Sequence, residues 1–312
     1  MELNKKGIFF SLSGILLLAF LLGYLAVGFS STSSSSVGSN NRLLVVDSFL
    51  DSIYEDGSFA LETASFRTFL AMNDYISNTG LYIDDVELRL TESLTNETIN
   101  SNSYPVLDNN SMNYWAQQMI IFAADFNIVA QIEFGDISIT QNDPWFVDVT
   151  YDTNISLYDS ITDATWNESR ELSAKISIEG IYDPLYIIET NNQFTIYFEK
   201  TPFETFVQGT NVTNLTNHIE GQYYAQFDDA PSFLSRFIGS RSPGGSLGIE
   251  SLVHKDVLSE AIPVDLSASN ADYIYFSTSN TTIYDFTSKP DDFFLDNESN
   301  HIAFYNLTHL IK

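Results

Sequence analysis

The feature that most constrains this chain is the run from Ile8 to Phe29, "IFFSLSGILLLAFLLGYLAVGF", 22 residues without a charge. As a helix rising about 1.5 Å per residue it spans about 33 Å, the thickness of a bilayer core. A secretory signal core is shorter, about 7–15 residues. Lys5 and Lys6 precede the run, so the positive-inside rule leaves the N-terminus in the cytoplasm and everything after Phe29 outside. The default expectation is a transmembrane helix that anchors a single-pass protein in the cell membrane. Its C-terminal domain is then extracellular, and the lipid bilayer is its partner through residues 8–29. Two processing routes stay open. One is removal at a weak small-residue site around Ser30 to Ser34. The other is a cut after Gly7 that strips the lysines and keeps the apolar helix.

The rest of the chain is long enough for one large or two modest domains. Against 41 Asp and Glu stand 13 Lys and Arg, a formal charge of −28. Such a surface repels nucleic acid, so no nucleic-acid partner is expected. Cysteine is absent. Disulfides, thiolate nucleophiles and cysteine metal sites are therefore excluded, and an exported domain must be held by its core, by glycans or by assembly.

Residues 30–42, beginning "SSTSSSSVGSNN", read as a Ser-rich hydrated linker. Beyond it apolar residues recur every three or four positions: Val46, Phe49, Leu50, Ile53, Ala60, Leu61 and Ala64 predict one long or slightly broken helix, weakened at Gly57, to about Ile76. "NTG" at 78–80 reads as its cap and turn. Shorter helices are expected over 83–94 and over "MNYWAQQMIIFAADF" (112–126), with Trp115, Met119, Phe122 and Phe126 on one face. The period then falls to two. Ile128, Ala130, Ile132 and Phe134 share a face, and Ile137 and Ile139 resume with opposite parity, which predicts a bulge at Gly135. Two further amphipathic strands come next, "WFVDVTYDTNISLY" and "LSAKISIEG". The fold class expected is α+β: an N-terminal transmembrane helix, then helices packed on an antiparallel sheet (43–183), then a smaller β-rich lobe (184–312). In that lobe "LYIIE", "FTIYFEK", "GQYYAQF", "ADYIYFS" and "TTIYDF" read as strands.

Chemistry-bearing patterns are few. "GGSLG" around Ser246 matches the spacing of a nucleophile elbow, with Asp265 and His301 or His309 completing a triad on paper. The elbow needs an apolar strand before it, however, and "GSRSP" precedes it. His218, His254, His301 and His309 form no metal-binding spacing. Asp84-Asp85, Asp228-Asp229 and Asp291-Asp292 are adjacent pairs whose carboxylates point apart, and "DNESN" (296–300) lacks the calcium-loop order. No catalytic, cofactor-binding or metal residues are assigned, and no cofactor is expected. "NDPW" and "YDPL" read as turns beside strands. The N-x-S/T tripeptides begin at Asn96, Asn109, Asn154, Asn167, Asn211, Asn214, Asn280, Asn297 and Asn306, all beyond the anchor, and are glycosylation candidates.

"QNDPWFVDVT" (141–150), "SAKISIEGIYDPLY" (173–186), "APSFLSRFIGS" (230–240), "GIESLV" (248–253) and "ADYIYFS" (271–277), after a "KKGIFF" start, occur in this order over most of the chain. In this the chain resembles an uncharacterised family of archaeal, membrane-anchored, pilin-like secreted surface proteins. The resemblance implies a cell-surface location and carries over no active site. Pilin-type helices keep a Glu at the fifth position after the cut; here, counting from Ile8, that position is Leu12. The expected function is a cell-surface structural or adhesive protein of pilin-like design, more a structural element than an enzyme. Self-assembly or other surface proteins are its expected partners. The alternatives are a membrane-anchored extracellular hydrolase and an ion- or solute-binding surface receptor.

Overall fold

The computed structural model describes residues 35–277, 282–296 and 300–312. The apolar segment 8–29, Gly7, Asn280 and Asn297 lie outside them. Among the described residues no helix is long and apolar enough to cross a membrane. The fold mixes helices with antiparallel sheets, as an α+β chain does.

Helix α1, Ser35–Thr79, has 45 residues. It starts inside the stretch read as a linker, so 35–42 is helical rather than flexible spacer. The buried positions Val46, Phe49, Leu50, Ile53, Leu61, Ala64, Phe69, Met72 and Ile76 keep helical spacing throughout. Gly57 does not break it. A Cβ there would lie 2.9 Å from Trp115 Cη2 and 3.1 Å from Leu172 Cδ1, so glycine serves close packing. Gly80 ends the helix at φ +66° with its N–H on the Ile76 carbonyl (2.8 Å).

Strands β3 (Ile128–Asp143), β4 (Phe146–Asp159) and β5 (Ala164–Ser177) form one sheet in the order β3-β4-β5, following a two-stranded hairpin of β1 (Thr98–Ile99) and β2 (Asn102–Ser103). Connections as short as 144–145 and 160–163 permit only antiparallel neighbours. Along β3 the inward positions change parity between Phe134 and Ile137, the phase shift that one inserted residue produces.

Two compact units interleave along the chain rather than dividing once at 183/184. Unit 1 comprises residues up to 61 with 112–137 and 150–174; unit 2 comprises 62–111, 138–149 and 175–312. In unit 1 the first half of α1 and helix α3 (Met112–Ala124) cover the dry side of the strands. Phe49 meets Phe122 and Phe126 there (6.1 and 6.2 Å between centroids), and Trp115 Nε1 donates to Asp56 (2.7 Å).

In unit 2, helix α2 (Val86–Asn96) is capped by Asp85, whose Oδ1 accepts from Leu88 N (3.0 Å). Beyond residue 184 the structure corrects the expected β-rich lobe. "LYIIE" is helix α4 (Pro184–Glu189), because Asp183 caps it and Pro184 takes the first turn, where a missing N–H costs nothing. "ADYIYFS" holds helix α8 (Asp272–Tyr275). The remaining helices are α5 (Thr213–Glu220), α6 (Phe233–Phe237), α7 (Lys255–Ser259) and α9 (His301–Phe304). The strands here are two or three residues long: β6 (Tyr224–Gln226) pairs antiparallel with β7 (Ile249–Ser251), and β8 (Ile283–Tyr284) with β9 (Leu295–Asp296).

Candidate functional site

The densest polar chemistry in the molecule is sealed inside unit 2. Arg236, on α6, places Nη1 2.6 Å from Asp183 Oδ2 and 2.9 Å from Asp272 Oδ2. Its Nη2 donates to the Ile249 carbonyl (2.5 Å). Tyr224 donates to Asp183 (2.6 Å), and Ser251 donates to Asp272 through both N and Oγ (3.2 and 3.0 Å). Across β7 lies a second cluster. His301 bridges Glu250 Oε2 through Nε2 (2.9 Å) and Asp296 Oδ1 through Nδ1 (3.0 Å). Tyr305 donates to Glu250 (2.7 Å), and Ser269 donates to Asp296 (2.7 Å). Neighbours on a strand point to opposite sides, so Glu250 serves one cluster and Ser251 the other.

Four carboxylates and two cations are thus buried together, and all are at most 2% exposed. Burial, with repulsion from Asp272 added, raises the pKa of Asp183 and of Glu250 against the pull of Arg236 and His301. Burial would lower that of His301, but the flanking Glu250 and Asp296 push it up to about 10, so it stands as imidazolium at neutral pH. Burial likewise penalises the Asp296 carboxylate, yet the hydrogen bonds from His301 and Ser269 hold its pKa below the usual range. Each carboxylate accepts from a cation and from a hydroxyl or amide, which makes such burial tolerable.

Chemically the network is closed. No atom of it opens to a substrate, and Glu250 and Asp296 address opposite edges of the imidazole, leaving no common point for a metal. Among the described residues no group of three or more His, Asp or Glu is placed to hold one. The network cross-links distant segments in a domain without cysteine.

The triad drawn on paper is not assembled. Ser246 is exposed in a 3-10 turn, Gly245–Leu247; Asp265 accepts from Ser267 (2.6 Å); His301 belongs to the buried cluster; His309 pairs with the Gly209 carbonyl (2.6 Å). His218 is buried beside Phe206, with Nδ1 on Thr201 (3.1 Å), and His254 caps α7. Asp84 pairs with Arg89 (2.7 Å). Among the N-x-S/T asparagines, Asn96, Asn109, Asn154, Asn167, Asn211 and Asn306 are exposed, and Asn214 is half-buried.

Unit 1 presents a different surface. Arg42 fixes the start of its part of α1, gripping Asp159 with Nε and Nη2 (both 3.1 Å) and the Phe126 carbonyl with Nη2 (2.5 Å). Ser160 N and Oγ donate to the Asn127 carbonyl (3.1 and 2.8 Å), so the α3–β3 and β4–β5 turns meet at this end. On the elements that meet there, Leu44, Ile121, Val129 and Ile161 are 65, 62, 64 and 61% exposed. Leu43, Leu44, Asp47 and Trp166 line a shallow depression beside them. Exposed apolar side chains thus sit on each of the elements that meet at Arg42: α1, α3, β3 and the β4–β5 turn.

Sequence reasoning missed the ionic network. Four of the longer segments quoted above converge on it. Residues 173–186 supply Asp183 and Tyr186, 230–240 supply Arg236, 248–253 supply Glu250 and Ser251, and 271–277 supply Asp272 and Tyr273. A lone charge among apolar neighbours, as in "FLSRF", was the readable mark. No protein-family model matches the chain, and comparison with curated proteins and with solved structures returns no match.

Proposed function

We propose that the chain is a cell-surface structural protein of pilin-like plan, held in the membrane by residues 8–29 and self-assembling through the end of unit 1 nearest them. The observation that carries the reading is the set of exposed apolar side chains, Leu44, Ile121, Val129 and Ile161, on the elements that meet at Arg42. Between Lys6 and Arg42 the chain has no charged residue, and the 22-residue apolar run ends six positions before Ser35. Where such segments pack side by side, these side chains of neighbouring copies are brought close, and a second copy is the occupant that removes them from water. Helix α1 packed on an antiparallel sheet supports the same plan, and the closed ionic core is what a cysteine-free exterior domain needs.

The test is the mature N-terminus, read by mass spectrometry in cell membranes and in material sheared from the surface. A start at Ile8 in sheared, sedimenting material supports assembly after a cut behind Gly7. A start at Met1 confined to membranes leaves a permanent anchor and removes the filament. Absence from both fractions overturns the proposal.

A further inference from the structure

We infer that the outward face of the unit 1 sheet carries N-linked glycans at Asn154 and Asn167, while Asn214 and Asn306, which open the same tripeptide, stay bare. The inference rests on the extracellular placement proposed above and adds which sites are modified.

The distinction lies in what each side-chain amide already does. Glycosylation joins Asn Nδ2 to C1 of a sugar delivered by a polyprenyl-phosphate-linked oligosaccharide. The N–C1 bond forms as the C1–O bond to the carrier breaks, the phosphate leaves with the electron pair, and one amide proton passes to base. The nitrogen must therefore have room for a sugar. Asn214 Nδ2 donates to the Thr205 carbonyl and Asn306 Nδ2 to the Val207 carbonyl, each at 2.9 Å. Both amides tie the 205–207 segment down, and a sugar on either nitrogen would displace it. Buried Phe206 and Val207 belong to that segment.

Asn154 and Asn167 are exposed on neighbouring strands β4 and β5. Asn154 engages only its oxygen, which accepts from Ser169 Oγ, and it opens onto a shallow concavity lined also by Asp136, Asp152 and Glu171. Hydrophilic neighbours of this kind leave a sugar hydrated. Ser169 is itself the third residue of the Asn167 tripeptide, so folding locks the hydroxyl of one tripeptide onto the asparagine of the other. On the folded sheet the two glycans stand side by side over the concavity.

The experiment is glycopeptide mass spectrometry on the full chain purified from its own cells, with a membrane-impermeant biotin reagent applied first to intact cells. The expected result is biotin labelling, oligosaccharide mass on the Asn154 and Asn167 peptides, and unmodified Asn214 and Asn306. Asn154→Gln and Asn167→Gln should each remove one glycan's mass from the intact protein. Bare Asn154 and Asn167 in biotin-labelled protein would overturn the inference and leave the surface placement standing, and so would glycan on Asn214 or Asn306. Protein that biotin does not reach overturns the placement and the inference together.

Discussion

Arg236 Nη1 and Asp272 Oδ2 lie 2.9 Å apart with their side chains 1% and 0% exposed, and Asp183 completes the pair from the other side at 2.6 Å. Removing the cation alone leaves two carboxylates buried without a counter-charge. Arg236→Met is expected to destabilise unit 2 by about 3–5 kcal/mol in denaturant unfolding. The neutral triple variant, Arg236→Met with Asp183→Asn and Asp272→Asn, should recover most of that loss. Equal instability of the two variants would show that shape rather than charge matters here.

The second cluster predicts an alkaline limit. The His301 pKa rises from the ordinary 6.5 to about 10. Its contribution is therefore complete below pH 6.5 and is lost as pH climbs through 10, at up to about 1.4 kcal/mol per pH unit. Unfolding free energies measured from pH 6 to 10 should decline along this slope. The slope should vanish in a variant carrying Glu250→Gln, Asp296→Asn and His301→Gln, and an unchanged profile in that variant would refute the imidazolium assignment.

His218 predicts the opposite edge. Burial lowers its pKa from 6.5 to about 3. Between those values the unfolded chain binds the extra proton, so stability falls as pH drops below 6.5. His218→Phe should lose this acid sensitivity relative to the parent, read as the difference between their melting temperatures at pH 7 and pH 4.

Gly57 is a packing residue inside a helix. Gly57→Ala gains about 1 kcal/mol of helix propensity. It also drives a methyl to 2.9 Å from Trp115 and 3.1 Å from Leu172, an overpacking that costs about 1–3 kcal/mol. Calorimetry should show a lower melting temperature for Gly57→Ala, only partly restored when Leu172 is shortened to Val, because Trp115 still crowds the methyl.

Much of the first half was legible because its signals are local. The spacing of Val46 through Ile76 marked α1, Gly80 marked its end, and the parity change at Gly135 is visible in the burial of β3. The segment beyond 184 was not, because its elements are too short for periodicity and are fixed by distant partners. Asp183 meets Arg236 53 residues away, and Glu250 meets His301 51 residues away. The Asp183-Pro184 pair looked like a turn beside a strand and is a helix start. A cap and a turn open alike and diverge only in the residues after them, and "LYIIE" suits either state. The interleaved units were illegible for the same reason, since each gathers segments that are not consecutive. The "GGSLG" spacing around Ser246 showed the converse: it is readable in the chain, and the fold leaves it as an exposed turn.

Arg42 has a mechanical consequence. On the anchored plan proposed above, drag and shear enter the chain through its first helix. Tension entering α1 from that direction reaches Arg42 ahead of the buried Val46, Phe49 and Leu50. The guanidinium passes it at once to Asp159 at the end of β4 and to the carbonyl at Phe126 after α3. The load is divided among three elements and acts along the helix axis, so rupture requires several contacts to fail together. A helix without this clamp would peel from the sheet one turn at a time.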